Sequence, residues 1–425
     1  MTGGQGAELS ASGVVHPDRT TGRDRRLCAE GAAGGTAVRA VDTQPLFYCG
    51  DEVHRAKIEK IQDALGRRSL DALLLLKHDA VRYVTEFYAK GYRPFLDIEY
   101  AALVPHGGDP ILGYTTAGEE RRVAIRSRVR DARRLPRLAE WPAALAAVLE
   151  DRLLARSRVG FDLLPHFIYQ GLRDRLPKLE LVDASDVWVD IAAIKHPLEV
   201  ALIEQALKVA QAGTAAAIQA AAPGATEIEV SAAAEYRMRC LGSEMNPFVP
   251  VVASGPNAAI WERVATTRRI ECGDMVILDF GCVHRGYTGD FARTIVAGEA
   301  TAPQRRIYRA AYEALQEAVK TARPGILCSA VDAVVRRVVQ DAGLGKDVQG
   351  WASGHQLGFG LHGDPLVGPG IDVPLQPGMV INLEPSLYTF DDMTVGGVEL
   401  EDTVVITQTG SRLLTDFPFD ARLLS

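Results

Sequence analysis

Cysteine is scarce in this chain, and its six cysteines are scattered. None forms a CxxC pair, so neither a thiolate zinc site nor a redox motif is indicated. In a chain of 425 residues this pattern is typical of reduced thiols and favours a cytoplasmic protein. No stretch reaches the roughly 18 uncharged apolar residues that a membrane-spanning helix needs. The amino-terminal stretch also lacks the apolar centre of a signal peptide.

An excess of positive charge is also missing. The formal net charge is −7, which argues against a partner that is a nucleic acid or an anionic membrane. Hydrophobic residues make up 47% of the chain and charged residues 24%, which is ordinary for a globular protein with a buried core. We therefore expect no partner of either kind.

The amino-terminal half divides into a tail and a domain. Residues 1–46 are rich in Gly, Ala, Thr and Arg without apolar periodicity, which predicts a disordered tail or a mis-called translation start. Residues 47–193 alternate between helical and strand patterns and predict an α/β domain. In this domain, 51–67 reads as an amphipathic helix and 72–76 as a buried strand. The dense basic run at 119–136 predicts a solvated helix face.

A second domain is predicted at 194–425. It opens with a long helix over 198–222, which Pro197 precedes and Pro223-Gly224 ends. The run from Thr226 to Glu229 is typical of a capping box that opens the next helix. Strands and two further helices follow. This order predicts an α+β domain with antiparallel hairpins.

One predicted hairpin contains two aspartates. If its turn lies at His284 and Arg285, then Asp279 faces Asp290 across the two strands. Asp279 also interrupts an apolar run, so it is expected to be buried. Two buried, facing carboxylates are costly unless a proton or a cation lies between them. A longer turn would shift the register and turn one aspartate towards solvent.

Further candidate ligands lie in later strands. His355 and His362 stand seven residues apart in a glycine-rich stretch, Glu384 interrupts an apolar strand, and Glu401 begins another. A lone glutamate in a strand usually faces outward, yet four carboxylates and one imidazole together indicate a metal site. Such a ligand set suits Mn²⁺, Fe²⁺, Co²⁺ or Zn²⁺. Two such ions can share a bridging water and generate hydroxide near neutral pH.

The order of these residues resembles a known family. An Asp, a second Asp eleven positions later, a His, a Glu and a Glu are similar to the pattern of aminopeptidase P, prolidase, methionine aminopeptidase and creatinase. The resemblance runs from residue 194 to about 415 and implies the pita-bread fold for that part. The segment 47–193 is similar to the family's creatinase-like, ribonuclease-H-like domain. The matching stretches are 252–258, 273–281, 286–294, 353–362, 377–385 and 399–404.

The resemblance also implies roles for residues. Asp290 and Glu401 would each bridge two divalent ions, with Mn²⁺ expected first and Co²⁺, Fe²⁺ or Zn²⁺ as alternatives. His362 would contact the substrate or the scissile group. Glu384 would also act as the proton shuttle for the attacking water. A homodimer is implied as well. The full implied ligand set is Asp279, Asp290, His355, Glu384 and Glu401.

Two positions depart from the family pattern. Glu262 stands where peptidases of the family usually have a His six residues before an Arg, here Arg268. Glu399 stands where they often have an Arg, two residues before the last ligand. Both changes replace donor or positive character with a carboxylate. Each glutamate either contacts substrate or points to solvent, and Glu399 could pair with Arg263 or Arg293.

The expected function is therefore that of a metal-dependent hydrolase that cleaves a C–N bond. The largest single expectation is an Xaa-Pro dipeptidase or aminopeptidase with an atypical substrate pocket. A small cationic substrate, such as an amidino or cyclic amidine compound, would fit the added carboxylates. A lyase with the same fold and a non-catalytic binding protein are further alternatives.

Overall fold

The computed structural model describes residues 49–87, 98–115, 117–261, 264–346 and 352–425, except for the side chains of Leu361 and His362. The tail predicted at 1–46 lies outside these residues. No helix in the described part has the length and apolar character needed to cross a bilayer.

Helices and strands alternate through much of the amino-terminal half, whereas the carboxy-terminal half ends in a series of short strands. The amino-terminal half contains α1 (Asp51–Arg67), β1 (Ala72–Leu75), α2 (His78–Thr85), β2 (Tyr100–Pro105), β3 (Ile111–Tyr114), α3 (Glu120–Arg126), β4 (Asp131–Arg134), α4 (Trp141–Asp151), β5 (Arg158–Phe161), α5 (His166–Arg175), β6 (Glu180–Asp183) and α6 (Ser185–Ala193). The carboxy-terminal half contains α7 (Pro197–Ala220), α8 (Glu227–Cys240), β7 (Val251–Ser254), β8 (Met275–His284), β9 (Tyr287–Val296), α9 (Ala302–Thr321), α10 (Cys328–Asp341), β10 (Gly354–Gly358), β11 (Gly360–Gly363), β12 (Val380–Leu383), β13 (Ser386–Tyr388), β14 (Gly397–Glu399), β15 (Asp402–Ile406), β16 (Ser411–Leu413) and α11 (Ala421–Leu424).

A six-stranded mixed sheet organises the amino-terminal half, in the order β4-β3-β2-β1-β5-β6. Its central strand β1 is buried on both faces, as a continuous apolar run predicts. Leu73 and Leu75 belong to one hydrophobic core and Ala72 and Leu74 to another. Helices therefore cover both faces of the sheet. The expected α/β architecture is confirmed for this half.

The basic run at 119–136 is only partly helical. Its first part forms α3, but 131–134 forms β4, the edge strand that runs parallel to β3. The expectation of a helix is therefore wrong for β4, because pairing with β3 outweighs the local pattern. Asp131 binds Arg133 and Arg152 there. Charged side chains on an edge strand discourage pairing with another chain.

Helix ends in the carboxy-terminal half follow local sequence signals. The hydroxyl of Thr226 accepts from the Glu229 amide at 3.2 Å, and the Glu229 carboxylate accepts from the Thr226 amide at 2.8 Å. This is the predicted capping box. The preceding helix α7 packs against β9, where a Cβ on Gly289 would lie 2.4 Å from the Ala206 carbonyl carbon. Only glycine permits that approach.

The β8–β9 hairpin differs from its predicted register. Its turn is Arg285-Gly286, with φ of 51° and 84°. A type I′ turn needs positive φ at both central residues and favours Gly at the second, which explains the shift by one residue. Asp279 consequently pairs with Ala292, and Asp290 pairs with Gly281. A register change of two residues keeps both aspartates on one face, because side chains alternate with a period of two.

Antiparallel strands bring distant segments of the carboxy-terminal half together. The sheet β11-β10-β12-β15-β16 lies beside the β7-β8-β9 sheet and the β13-β14 pair. In this sheet His355 pairs with Asn382, and Leu383 pairs with Asp402. Helices α9 and α10 pack over the apolar residues of this half. The ends of β12 and β15 therefore meet beside β9 and β10.

Candidate dimetal centre

The five predicted ligands come from five neighbouring segments. Asp279 lies within β8, Asp290 within β9 and His355 within β10. Glu384 directly follows β12, and Glu401 directly precedes β15. Because β12 pairs with both β10 and β15, its end places Glu384 and Glu401 next to His355.

Three of these side chains form a compact group. Ligand atoms of Asp290, His355 and Glu401 all lie within 4.8 Å of one another. His355 Nε2 is 3.7 Å from Asp290 Oδ2 and 4.0 Å from Glu384 Oε1. Asp279 lies diagonally across the hairpin from Asp290, and its charge helps to raise the pKa of Glu401. All five predicted ligands are thus brought to one place.

The cluster has a closed side and an open side. Asp290, His355 and Glu401 are at most 3% exposed. The Glu384 side chain is 26% exposed, and Asp279 is also partly exposed. A substrate would therefore approach past Asp279 and Glu384, while the other three form the base of the site.

The carboxylates raise one another's pKa values. Burial, with the nearby charge of Glu399, raises the pKa of Asp290 to about 8. Burial and the charges of Glu399 and Asp290 raise the pKa of Glu384 well above its usual value. The pKa of Glu401 is raised in the same way, by burial first and then by its acidic neighbours. A cation among them would offset this repulsion.

The donor set fits a divalent ion. Glu401 Oε2 is buried and has no hydrogen-bond partner among the described residues. A buried polar atom of this kind normally has a partner, and a metal ion is one. Carboxylate oxygens with a single imidazole nitrogen suit Mn²⁺, Fe²⁺, Co²⁺ and Zn²⁺. The residues present therefore fit the group that the sequence implies.

Hydrogen bonds from strand β9 hold the segment that carries Glu399 and Glu401. The Thr294 hydroxyl donates to the Glu399 carbonyl and accepts from the Glu399 amide, both at 2.9 Å. Arg293 donates to the Glu401 carbonyl at 2.6 Å and pairs with Asp402 at 2.9 Å. Sequence reasoning missed Thr294 and named Arg293 only as one of two arginines with which Glu399 could pair. No local signal identifies either contact, because more than 100 residues separate the partners.

The segment that carries Glu384 is held from the other side. The Glu384 amide donates to the Ser353 carbonyl at 3.0 Å, and the Ser353 hydroxyl donates to Asp332 at 2.6 Å. Asp332 in α10 also accepts from Arg336 at 2.7 Å. This chain of contacts ties the start of β10 and the end of β12 to a helix, and sequence reasoning missed it.

Glu399 lies with the acidic cluster rather than in solvent. It is 8% exposed, and the Tyr388 hydroxyl donates to its Oε2 at 3.2 Å. Its charge contributes to the raised pKa values of Asp290 and Glu384. Two other predicted substrate contacts, Glu262 and the side chain of His362, lie outside the described residues, as does Arg263.

A buried acid–imidazole cluster between antiparallel sheets, preceded by a creatinase-like α/β half, defines a metal-dependent hydrolase with the pita-bread fold. Residues 201–408 match the metallopeptidase family M24, and residues 57–191 match the creatinase/prolidase N-terminal domain. The chain belongs to this metallopeptidase family. The predicted fold class and the predicted metal-dependent hydrolase are confirmed.

Two curated relatives and a solved structure are similar to large parts of this chain. An Xaa-Pro dipeptidase of Pyrococcus horikoshii is 31% identical over 367 residues, which cover 86% of this chain and 98% of that protein. An Xaa-Pro dipeptidase of Pyrococcus furiosus is 35% identical over 252 residues, covering 59% of this chain and 71% of that protein. The crystal structure of the prolidase from Pyrococcus horikoshii OT3 has a TM-score of 0.74 at 30% identity and covers 86% and 99% of the two chains.

Proposed function

We propose that this protein hydrolyses the Xaa-Pro bond of dipeptides or short peptides. The observation that carries the proposal is the buried cluster of Asp290, His355 and Glu401, with Asp279 and Glu384 at its open side. The name of the Pyrococcus horikoshii relative, which this chain matches over 98% of its length, supports the substrate class.

In this proposal Asp279, Asp290, His355, Glu384 and Glu401 would hold two divalent ions. Mn²⁺ is the first candidate and Co²⁺, Fe²⁺ or Zn²⁺ the alternatives, since oxygen-rich ligand sets favour hard ions. Bound ions of this kind polarise a carbonyl and supply hydroxide near neutral pH. The raised pKa values of the carboxylates support the assignment, because a cation relieves their repulsion.

A side chain of the protein, Glu384, is proposed to transfer the proton. Glu384 lies at the open side, where its partly exposed carboxylate can exchange a proton with a water. In the proposal, Glu384 takes a proton from the attacking water and delivers it to the leaving nitrogen. His362 would contact the substrate or the scissile group, a role that rests on the family resemblance.

Glu399 favours a second candidate substrate class. Its buried carboxylate adds negative charge beside Asp290 and Glu384, where family peptidases often have an Arg. A cationic group is attracted to such a site, so a small amidino or cyclic amidine compound is the alternative to a peptide. Glu262 is proposed as a further substrate contact on the resemblance alone.

A substrate screen decides between the two classes. The full-length protein, loaded in turn with Mn²⁺, Co²⁺, Fe²⁺ and Zn²⁺, is assayed on Xaa-Pro dipeptides, on the same dipeptides with an acetylated amino terminus, and on creatine-like amidines. We expect turnover of the free Xaa-Pro dipeptides. Turnover of amidines alone would replace the first proposal with the second, and an inactive Glu401→Gln variant serves as the background control.

Three further assignments accompany the proposal. The catalytic domain is taken to start at Ile194, which bridges to Met379, and the preceding domain is taken as 47–193. Free thiols at five cysteines support a reducing, cytoplasmic location. A homodimer follows from the resemblance, and light scattering of the purified protein tests it.

A further inference from the structure

We propose that Asn382 is a positioning residue that fixes the carboxylate of Glu401 and so sets the affinity of the centre for its ions. The inference rests on the proposed role of Glu401 as a metal ligand. It assigns a role to a neutral side chain that the sequence patterns did not single out.

Asn382 lies at the middle of the site's supporting sheet. It occupies β12, where it pairs with His355 on one neighbouring strand and with Thr403 on the other. Its side chain is completely buried. A buried amide needs hydrogen-bond partners, and a polar residue at the centre of an apolar strand is costly without them.

The amide meets that need by binding two side chains. Its Nδ2 donates to Glu401 Oε1, and its Oδ1 accepts from the Thr403 hydroxyl at 3.2 Å. In its metal-binding, ionised form Glu401 can only accept hydrogen bonds, which requires the nitrogen of the amide to face it. Thr403 then donates to the oxygen on the other side. The orientation of Asn382 is thus set by both partners.

This contact holds one oxygen of Glu401 and leaves the other available to the ions. The backbone of Glu401 is held by Arg293 and by the Ala292 carbonyl, and Oε1 is held by Asn382. Oε2 is the buried oxygen that has no partner within the described part of the chain. Because the backbone and Oε1 of Glu401 are both held, the position of Oε2 is also fixed. Asn382 therefore prepares the ligand before an ion arrives.

The neutrality of Asn382 matters as much as its position. Glu401 is surrounded by the charges of Asp290, Asp279, Glu384 and Glu399. A Lys or Arg in place of Asn382 would neutralise Glu401 and compete with the ion. An Asp would add repulsion and offer no donor. A neutral donor such as this amide binds the carboxylate while leaving its charge available to a cation.

Titration of the metal-free, full-length protein with Mn²⁺ by calorimetry tests the inference. Loss of a partner that orients a metal ligand typically weakens metal binding by about 10–100-fold. We expect that loss in Asn382→Leu, which keeps the branched shape of the side chain and removes the donor. Thr403→Val is expected to produce a smaller loss, because it frees the amide without deleting it.

Asn246→Leu provides the matched control. Asn246 also donates to a glutamate, Glu235, at 2.9 Å, but this pair is not among the clustered ligands. We expect its Mn²⁺ affinity to equal that of the unchanged protein. Circular dichroism of the metal-free proteins establishes that each variant is folded.

The outcomes separate the inference from the proposed function. Folded Asn382→Leu with wild-type Mn²⁺ affinity would overturn the inference, provided that Glu401→Gln loses binding. Should Glu401→Gln bind Mn²⁺ as well as the unchanged protein does, the proposed ligand set fails and the inference with it. If Asn382→Leu does not fold, Thr403→Val decides, since weaker binding supports the inference and unchanged binding overturns it.

Discussion

Each carboxylate of the cluster makes its neighbours harder to ionise. Asp290 and Glu401 are buried next to Glu384 and Glu399, and burial is the largest cause of the raised pKa values. In the metal-free protein these groups therefore retain protons that exposed carboxylates would have lost. Bound cations reverse that preference, because they stabilise the ionised form.

The first prediction is that the metal-free protein becomes less stable as the pH rises. The pKa of Asp290 is about 8 in the folded protein, against about 3.9 when unfolded. Between these values the folded state binds a proton that the unfolded state has released, so stability falls from about pH 4 to about pH 8. Below about pH 4 both states are protonated and the penalty is absent. Calorimetry in a chelator should show the melting temperature falling by roughly 5 °C or more across this window.

Two controls accompany that titration. Asp290→Asn cannot ionise, so its melting temperature should depend less steeply on pH. Saturating Mn²⁺ should flatten the dependence in the unchanged protein, because the ion favours the deprotonated carboxylates. An equally steep slope in metal-free Asp290→Asn would contradict the prediction.

Glu227 gives a second prediction at this scale. Its completely buried carboxylate accepts from the amide and hydroxyl of Ser254, from Asn257, and from the amide and hydroxyl of Thr266. Glu227→Ala leaves these donors without an acceptor, and we expect a loss of about 3 kcal/mol or more in the free energy of unfolding. Urea denaturation measures it. Glu229→Ala removes only an exposed capping contact and should cost much less. Equal losses in the two variants would refute the argument.

At the scale of elements, the β8–β9 hairpin shows why the ligands could be predicted from the sequence but their pairing across the strands could not. The alternation of strands placed Asp279 and Asp290 on one face, and that survived a register shift of two residues. The turn at Arg285-Gly286 was missed because the predicted turn gave no weight to a glycine at the second position. Asn382 and Arg293 both contact Glu401, and each lies on a strand that does not directly precede Glu401 along the chain. Such contacts cannot be predicted from neighbouring residues. Motifs therefore predict ligands, and tertiary pairing decides what supports them.

Packing of α7 on β9 yields a third prediction. A Cβ on Gly289 would lie 2.4 Å from the backbone of Ala206, and Asp290 is the next residue. Gly289→Ala must push α7 away from β9, so we expect about 1–3 kcal/mol of destabilisation and weaker Mn²⁺ binding. Thermal melting and calorimetric titration measure the two effects. Gly107→Ala is the control, because a Cβ there meets no atom within 4 Å; similar effects in both variants would argue against the packing explanation.

At the scale of the whole molecule, buried polar contacts join the amino-terminal half to the catalytic half. Glu199 accepts from the hydroxyls of Tyr83 and Tyr287 at 3.0 Å each and from Lys60 at 2.8 Å. Arg82 binds Glu244 at 2.6 Å, with both side chains almost fully buried. Long separations along the chain, 162 residues for Arg82 and Glu244, put these contacts beyond any local pattern.

The Arg82–Glu244 pair carries the last prediction, because Glu244 also accepts from the amide of Gly286 in the turn of the hairpin that contains both aspartates. Arg82→Met leaves the Glu244 carboxylate buried without its charged partner and should cost about 3–5 kcal/mol. Since the pair spans both halves, differential scanning calorimetry should show one transition at lower temperature. The double variant Arg82→Met/Glu244→Leu should recover most of the loss, because well-packed apolar side chains replace buried ion pairs at little cost. Separate transitions for the two halves in Arg82→Met, or no recovery in the double variant, would show that the pair does not couple them.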